Sequence, residues 1–222
     1  MSRDQAARFQ SELETAISSF EIESLTDKQT IQLARHYSML CRWNQKLNLT
    51  RITEAREAAR LHYAESLFGT LFLAGAQTLL DIGSGAGFPA IPLAVAKPEI
   101  QVTALEANQK KSLFLKEAKD ELGLANLRVV TARLEEFDWA GYELLTSRAL
   151  DRAEAILPSV IERLSAGQRM MLYCGPDLVA KLEGQIECKT ETHPIPQSEA
   201  RLIAIFSRVD HGSSGSDGFT LI

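Results

Sequence analysis

LLDIGSGAGFPAIPLA, residues 79–94, places an acid and three alternate glycines between two apolar runs. The first run is typical of a buried strand, and the second of a short helix. Glycines in the connecting loop allow the backbone to turn sharply and to approach a ligand closely. The free amides at the start of the helix favour groups that carry negative charge. We therefore expect a bound molecule beside Gly83, Gly85 and Gly87.

From residue 77 onward, apolar runs and helical segments alternate along the chain. Such alternation predicts a mostly parallel sheet with helices on both faces. Predicted strands lie at 77–83, 100–106, 126–132, 142–149 and 168–175, and predicted helices at 88–96, 108–122 and 152–165. A closing pair of strands, 184–193 and 200–209, has no helix between its members and should be antiparallel. The sequence thus predicts an α/β, Rossmann-like fold with a seven-stranded, mostly parallel sheet.

The segment before the sheet has a helical pattern and shows no strand alternation. Thr26 and Gln29 have the spacing of a capping box, which satisfies free amides at the start of a helix. A largely apolar face then recurs at steps of three and four residues. Its members are Leu33, Tyr37, Leu40, Asn44 and Leu47. Asn48 and Thr50 should end this helix, and a second helix should begin near Glu54.

These patterns divide the chain into three parts. Residues 1–70 are expected to form a helical extension packed on the core, and residues 71–209 the ligand-binding domain. The end of the chain, residues 210–222, is rich in Gly and Ser and is expected to be a flexible tail. The start lacks the apolar segment of a secretory signal, and no apolar stretch is long enough to span a bilayer. We therefore expect a cytoplasmic protein.

Charge and metal-ligand spacing restrict the partners. The 222 residues carry a net charge of −5, which argues weakly against a nucleic-acid partner. Basic residues nevertheless outnumber acidic ones between Arg42 and His62, a pattern that is usually a solvated helix face but would also suit RNA. Cysteines and histidines are scattered without disulfide or metal-site spacing, so we expect no bound metal.

The spacing of the glycines distinguishes between nucleotide cofactors. A dinucleotide fingerprint requires glycine at position 88, where the chain has Phe88, and the loop lacks the G-K-[ST] of a P-loop. Glu106 ends the second predicted strand, where an acid can accept both hydroxyls of a ribose. After the third strand, Leu134 would pack on an adenine ring. The acid-G-x-G-x-G loop from Asp81, together with a ribose acid, resembles the S-adenosylmethionine-dependent methyltransferases.

Elimination narrows the methyl acceptor. Methylation of pyrimidine C5 needs a cysteine nucleophile, and Cys174, near the sheet edge, has no basic residue beside it. The segment TSRAL after the fourth strand differs from the [N/D]-P-P-[Y/F] typical of exocyclic amine methylation. The fourth and fifth strands end without the lysine commonly used for ribose methylation. What remains is a nucleophile that needs no deprotonation, such as guanine N7, for which proximity supplies much of the rate.

Six segments occur in the order seen in one family. They are WNQKLNLT (43–50), RLHYAESL (60–67), DIGSGAGFPAIPLA (81–94), NQKKSLFLKEA (108–118), ARLEEF (132–137) and SRA (147–149). From about Thr26 to Arg208 the chain resembles the ribosomal RNA small-subunit methyltransferase G family, also called glucose-inhibited division protein B. The resemblance implies S-adenosylmethionine as cofactor and methylation of guanine N7 in 16S rRNA, either naked or in the small ribosomal subunit. We expect a monomer that needs neither a membrane nor a metal.

The loop motif and the resemblance together predict the site residues. Cofactor contacts are expected at Asp81, Gly83, Gly85, Gly87, Phe88, Glu106, Leu134, Glu135 and Arg148. Arg148 would meet the methionine carboxylate or an RNA phosphate, with a structural ion pair as the alternative. Asn48 and Thr50, with Arg148, are candidates for positioning the guanine, although a helix-ending cap explains the first two equally well. No residue is expected to act as acid or base.

Basic residues before the sheet and after the second strand are predicted to contact RNA phosphates. They are Arg42, Lys46, Arg51 and Lys111. His62 and Glu65, three residues apart, are expected to be local packing.

The chain departs from the family pattern at two positions. Cys174 takes the place of a lysine that usually precedes the glycine after the fifth strand, and Glu106 takes the place of an aspartate. Two alternatives stay open: a small-molecule methyltransferase on the same fold, which would not need the basic residues, and a non-catalytic RNA-binding protein, which the missing lysine suggests. A nicotinamide-dependent dehydrogenase is disfavoured by Phe88.

Overall fold

The computed structural model describes residues 3–73, 75–148 and 153–209. Its strands form one sheet: β1 Thr78–Ile82, β2 Gln101–Leu105, β3 Leu127–Val130, β4 Leu144–Arg148, β5 Arg169–Cys174, β6 Lys189–Pro194 and β7 Leu202–Ser207. The strand order is β3-β2-β1-β4-β5-β7-β6. Neighbours among β1 to β5 are parallel, and β7 is antiparallel to β5 and β6. The predicted α/β fold with a mostly parallel seven-stranded sheet is confirmed.

Helices precede the sheet and connect its strands. They are α1 Arg3–Ser19, α2 Asp27–Leu47, α3 Ala55–Ala58, α4 Glu65–Phe68, α5 Ala90–Ala96, α6 Gln109–Leu122, α7 Ala153–Glu162 and α8 Pro176–Glu183. A π-helical turn, Ala59–Ala64, joins α3 to α4, and a 3-10 turn, Gly69–Phe72, follows. Residues 55–72 are therefore one continuous helical stretch, as predicted from Glu54 onward, whereas the sequence did not predict α8.

Local capping signals set the helix ends. The amide of Gln29 donates to the Thr26 hydroxyl at 3.3 Å, and the amide of Thr26 donates to Gln29 Oε1 at 2.8 Å, which confirms the capping box. Asn48 ends α2 in the left-handed conformation, with φ of 49°. Glu54 and Asn108 cap the starts of α3 and α6 with their side chains. These ends agree with the predicted ones.

The first two helices share an apolar cluster with one face of the sheet. Leu33, Tyr37 and Leu40 of α2 are buried, and Tyr37 stacks on Phe9 of α1 with ring centroids 4.3 Å apart. The same cluster contains Leu79 of β1. A second cluster on the opposite face includes residues of α7 and α8. Because helices and sheet share one core, the division at residue 70, within the 3-10 turn, stays a prediction, and the tail 210–222 lies outside the described residues.

Two broad features of the described ranges bear on partners. No helix within them is long and apolar enough to cross a membrane. In the same part of the chain, no three His, Cys, Asp or Glu side chains lie close enough to hold a metal ion.

Candidate active site

A cleft of about 360 Å³ opens beyond the carboxyl ends of β1, β2 and β3. In the strand order, β1 lies between β2 and β4, so the order reverses beside it, and ligands of open α/β sheets bind at such a point. Four predicted cofactor residues line the cleft: Gly83, Glu106, Leu134 and Glu135. Lys111, predicted as an RNA contact, lines it as well. The fold thus brings the loops after three strands around one site.

The cleft also has apolar walls that the sequence analysis missed. These are Ile82, Leu105, Ala132 and Ile156. The first two each lie one residue before the end of a predicted strand, so the strand pattern could have placed them at the sheet edge. Apolar side chains with a few polar groups among them are the usual lining of a small-molecule site.

Glu106 organises the glycine loop from the neighbouring strand. Its Oε2 accepts a hydrogen bond from the amide of Gly85 at 2.8 Å, and its Oε1 accepts one from the amide of Asn108 at 2.8 Å. The carboxylate is therefore held in place at the lip of the cleft by the backbone. Each oxygen keeps acceptor capacity, so the carboxylate can still receive ribose hydroxyls.

All three glycines adopt positive φ angles, and packing constrains Gly87 in addition. Their φ angles of 75° at Gly83, 55° at Gly85 and 88° at Gly87 lie in the region that favours glycine. A Cβ on Gly87 would lie 2.5 Å from Cδ1 of Ile91, whereas a Cβ on Gly85 would meet nothing closer than 3.8 Å. Gly87 is therefore required by packing inside the protein, which differs from the close approach of a ligand that the sequence predicted.

Asp81 of β1 is fully buried. Within the described part of the chain, neither of its carboxylate oxygens has a hydrogen-bond partner of ordinary geometry. Burial raises the pKa of Asp81 to about 7, and the nearby Ser84 hydroxyl and Ala90 amide offset this only in part. An unsatisfied buried carboxylate costs free energy, and sites of this kind are often functional. The arrangement fits a cationic group of a ligand.

Phe88 lies behind the glycine loop and is buried. Its ring stacks on His62 with centroids 4.6 Å apart and meets Tyr63 edge-on at 5.0 Å. His36 donates through Nε2 to the carbonyl of Ala86 at 3.1 Å and accepts at Nδ1 from the Tyr63 hydroxyl at 2.9 Å. Burial lowers the pKa of His36 to about 3, so the ring is neutral. The N-terminal helices thereby hold the loop, and the predicted contact of Phe88 with a cofactor stays a prediction.

The loop after α2 carries two candidates for positioning the guanine. Asn48 is exposed and caps the end of α2. This is the helix-ending cap that the sequence offered as the alternative to a role in positioning the guanine. The main chain of Thr50 is clamped by the side chain of Asn44, with Nδ2 donating to its carbonyl at 2.9 Å and Oδ1 accepting from its amide at 2.8 Å. The Thr50 hydroxyl lies 2.7 Å from Nε2 of His62. This role of Asn44 was missed, because its spacing placed it on the apolar face.

Arg148 ends β4 and is bonded inside the protein. Its guanidinium lies 3.3 Å from Glu65 Oε2 and donates to the carbonyls of Leu61 and His62 and to the Ser66 hydroxyl. The structural ion pair that the sequence left open is therefore present. Its predicted contact with a cofactor or RNA stays a prediction. Glu65 was expected to be local packing, and that expectation was wrong, because its partners come from distant parts of the chain.

The predicted RNA contacts lie around one end of two antiparallel helices. The first half of α2 contacts the end of α6, and the second half contacts its beginning. Arg42, Lys46 and Arg51 are exposed at or after the end of α2, and Lys111 follows the start of α6. The basic side chains are thus placed towards the cleft side of the molecule, and their contacts with RNA stay predictions.

Residues 29–202, more than half of the chain, match the family described as rRNA small subunit methyltransferase G. The chain belongs to this family. The match confirms the family that the sequence motifs predicted.

Relatives with this description cover much of the chain. The ribosomal RNA small subunit methyltransferase G of Solibacter usitatus is 42% identical over 152 residues, which are 67% of this chain and 71% of that protein. Its counterpart in Chromobacterium violaceum is 40% identical over 139 residues, 62% of this chain and 66% of that protein. The match therefore spans about two thirds of each relative.

Solved structures share the fold. A mutant of MtNAS in complex with S-adenosylmethionine has a TM-score of 0.55 at 14% identity, over 93% of this chain and 98% of that one. MtNAS in complex with MTA and tNA has a TM-score of 0.55 at 12% identity, over 82% and 74%. At such low identity the similarity shows the fold alone.

Proposed function

We propose that this chain transfers the methyl group of S-adenosylmethionine to N7 of a guanine in 16S ribosomal RNA. The observation that carries the proposal is the buried carboxylate of Asp81, which has no hydrogen-bond partner of ordinary geometry among the described residues. Asp81 directly precedes Ile82 and Gly83, which line the cleft together with Glu106. As a member of its family, the chain is an S-adenosylmethionine-dependent rRNA methyltransferase. Beyond family membership, we propose that the acceptor is a guanine, that the methyl group goes to its N7 atom, and that the residues have the roles described below.

The residues around the cleft fit this cofactor. Ionised Asp81 would pair with its ammonium group, because an opposite charge stabilises a buried carboxylate. Glu106 would accept the ribose hydroxyls, and Leu134 would cover the adenine ring. When bound, the cofactor supplies a methyl group on a positively charged sulfur.

Two ionisable side chains, one in the helical segment before the sheet and one at the end of β5, suit an acceptor that has no proton to lose. Burial lowers the pKa of His62 to about 3, so it is neutral, and burial raises the pKa of Cys174 to about 11, so its thiol is a poor nucleophile. Guanine N7 has a free lone pair at neutral pH. The chain therefore has only to align N7 with the methyl–sulfur bond, and alignment supplies much of the rate.

Thr50 is the candidate best placed to position the guanine. Asn44 fixes its main chain, and its hydroxyl is joined to His62. The His62 ring stacks on Phe88, directly after the glycine loop. This chain of contacts holds the loop after α2 against the cofactor side of the sheet edge, where a base would have to enter.

RNA would reach the cleft across exposed positive charge. The residues proposed to contact its phosphates are Arg42, Lys46, Arg51 and Lys111. Such contacts position a nucleic acid without reading its sequence. We place this activity in the cytoplasm, on 16S rRNA or on the small ribosomal subunit.

The test is mass spectrometry of nucleosides from 16S rRNA that lacks the modification, incubated with protein and cofactor as naked RNA or as small subunits. One new 7-methylguanosine is expected. The double variant Lys46→Glu, Arg51→Glu should methylate RNA less and keep its affinity for the cofactor. Methylation of free nucleosides or metabolites but not of RNA would identify a small-molecule enzyme. Cofactor binding without any transfer would identify a non-catalytic RNA-binding protein.

A further inference from the structure

A second group of charged side chains lies on the other side of the sheet edge. Arg148 ends β4, and Arg201 directly precedes β7, whose first residue pairs with Cys174 at the end of β5. Both arginines therefore stand at the carboxyl edge of the sheet, where the cleft also opens. Glu65 lies between them.

Glu65 is almost fully buried, with 2% of its side chain exposed. Its Oε1 lies 2.6 Å from Nη2 of Arg201, and its Oε2 lies 3.3 Å from Nη2 of Arg148. One carboxylate thus serves two guanidinium groups. A buried carboxylate with two partners is a firm anchor for the arginines around it, because removing it would leave their charges unpaired.

The two arginines differ in how many of their guanidinium donors remain available to a ligand. Arg148 is 15% exposed, and its donors are directed to Glu65, two carbonyls and a hydroxyl. Arg201 is 40% exposed. Its buried Nε has no hydrogen-bond partner within the described ranges. Arg201 therefore presents part of its guanidinium to solvent while Glu65 holds the rest.

A third guanidinium belongs to the same group. Arg60, half-buried in the π-helical turn, donates from Nη1 to the carbonyl of Gln197 at 3.3 Å. Gln197 lies in the loop between β6 and β7, which ends at Arg201. Arg60 also stabilises the ionised form of Glu65 through its charge. Three positive groups around one carboxylate leave an excess of positive charge at this edge.

We propose that Arg60 and Arg201 bind a phosphate group of the RNA backbone, with Glu65 holding Arg201 in position; this inference rests on the proposed function. A planar guanidinium matches phosphate oxygens through paired hydrogen bonds. The site lies over β4 to β7, whereas Lys111 and the cleft lie over β1 to β3. An RNA segment held on both sides would present its base between them.

The test uses the full chain, 16S rRNA and the variants Arg60→Gln, Arg201→Gln and Arg201→Lys. Each glutamine variant should weaken RNA binding about fivefold to tenfold at 0.1 M salt and lower the salt dependence by about one phosphate contact. KM for RNA should rise while kcat changes little. Arg201→Lys keeps the charge and should recover part of the affinity. Arg128→Gln, an exposed arginine on β3 at the opposite edge, is the matched control.

Melting curves and cofactor titrations complete the experiment. If Arg201→Gln does not fold, the RNA affinity of Arg60→Gln alone tests the inference. Arg60→Gln is expected to fold, because the hydrogen bond described for the Arg60 side chain goes only to the carbonyl of Gln197 in a loop. RNA binding equal to that of Arg128→Gln would overturn the inference, as would a loss of cofactor affinity, which would assign the site to the methionine carboxylate. Wild-type protein that neither binds nor methylates 16S rRNA would instead refute the proposed function.

Discussion

The carboxyl edge of the sheet has two halves, one over β1 to β3 and one over β4 to β7. A buried charged side chain in each half, Asp81 in the first and Arg148 in the second, differs in its hydrogen-bond partners. Over β1 to β3, Asp81 is fully buried and, among the described residues, its carboxylate oxygens have no hydrogen-bond partner of ordinary geometry. Over β4 to β7, Arg148 is also largely buried, but its guanidinium is bonded to Glu65 and to main-chain carbonyls. The charge of Asp81 is left without a hydrogen-bond partner of ordinary geometry among the described residues, whereas the charge of Arg148 is satisfied within the protein.

The difference separates ligand binding from structural support. An unsatisfied buried carboxylate weakens the fold, so a ligand that pairs with it gains affinity. A buried ion pair mainly fixes the segments that it joins, and breaking it is costly. Substitution of Asp81 should therefore lower cofactor affinity without lowering stability, and substitution of Arg148 should lower stability without lowering cofactor affinity.

Asp81→Asn should have the largest effect, because asparagine keeps the shape of the side chain and removes its negative charge. Affinity for S-adenosylmethionine should fall several hundred-fold, about 4 kcal/mol, as expected when one partner of a buried ion pair is removed. Titration calorimetry measures both dissociation constants, and Asp120→Asn, at an exposed position of α6, is the control. A loss below tenfold would show that Asp81 does not pair with the cofactor.

Asp81 also makes the stability of the ligand-free protein depend on pH. Its pKa rises from 3.8 to about 7 on folding, so the folded state holds a proton that the unfolded chain releases. The associated stability is complete below about pH 4 and is lost as the pH rises through 7, a change of about 4 kcal/mol. Urea unfolding measures the free energy of unfolding of both proteins. The value for Asp81→Asn should exceed that of wild type by an amount that grows as the pH rises from about 4 to 7. A difference that does not vary with pH would contradict the assignment.

Arg148→Gln tests the other half. Glu65 would lose one of its two guanidinium partners, and several acceptors would lose their donor, so the free energy of unfolding should fall by about 3 kcal/mol. Cofactor affinity, measured at low temperature where the variant is folded, should change less than threefold. A hundredfold loss of affinity in folded protein would instead support the cofactor contact that the sequence predicted, and the contrast between the two halves would not hold.

Patterns within a few residues of sequence predicted most of the secondary structure and the glycine loop. Contacts between side chains that are far apart in the sequence could not be predicted, because they leave no local pattern. The strands, the glycine loop and the capping box at Thr26 follow from spacing within a few residues. The helix α8 is short, so it contains too few residues for a helical repeat of apolar positions to be recognised. Glu65 and Arg201 meet only because the loop before β7 folds back over the helical segment. The sequence likewise shows an acid at position 81, but it does not show that the carboxylate oxygens of Asp81 lack hydrogen-bond partners of ordinary geometry among the described residues.

The glycine loop offers the smallest and most local test, because Gly85 and Gly87 share a left-handed backbone and differ in their surroundings. Gly85→Ala should cost about 1 kcal/mol of stability from backbone strain alone. Gly87→Ala should cost about 3 kcal/mol, because its Cβ would also press against Ile91 Cδ1 at 2.5 Å. Ile91→Val removes that methyl group, so it should cost less in the Gly87→Ala background than in wild type. Equal costs in the two backgrounds would mean that strain, and not packing, requires glycine at Gly87.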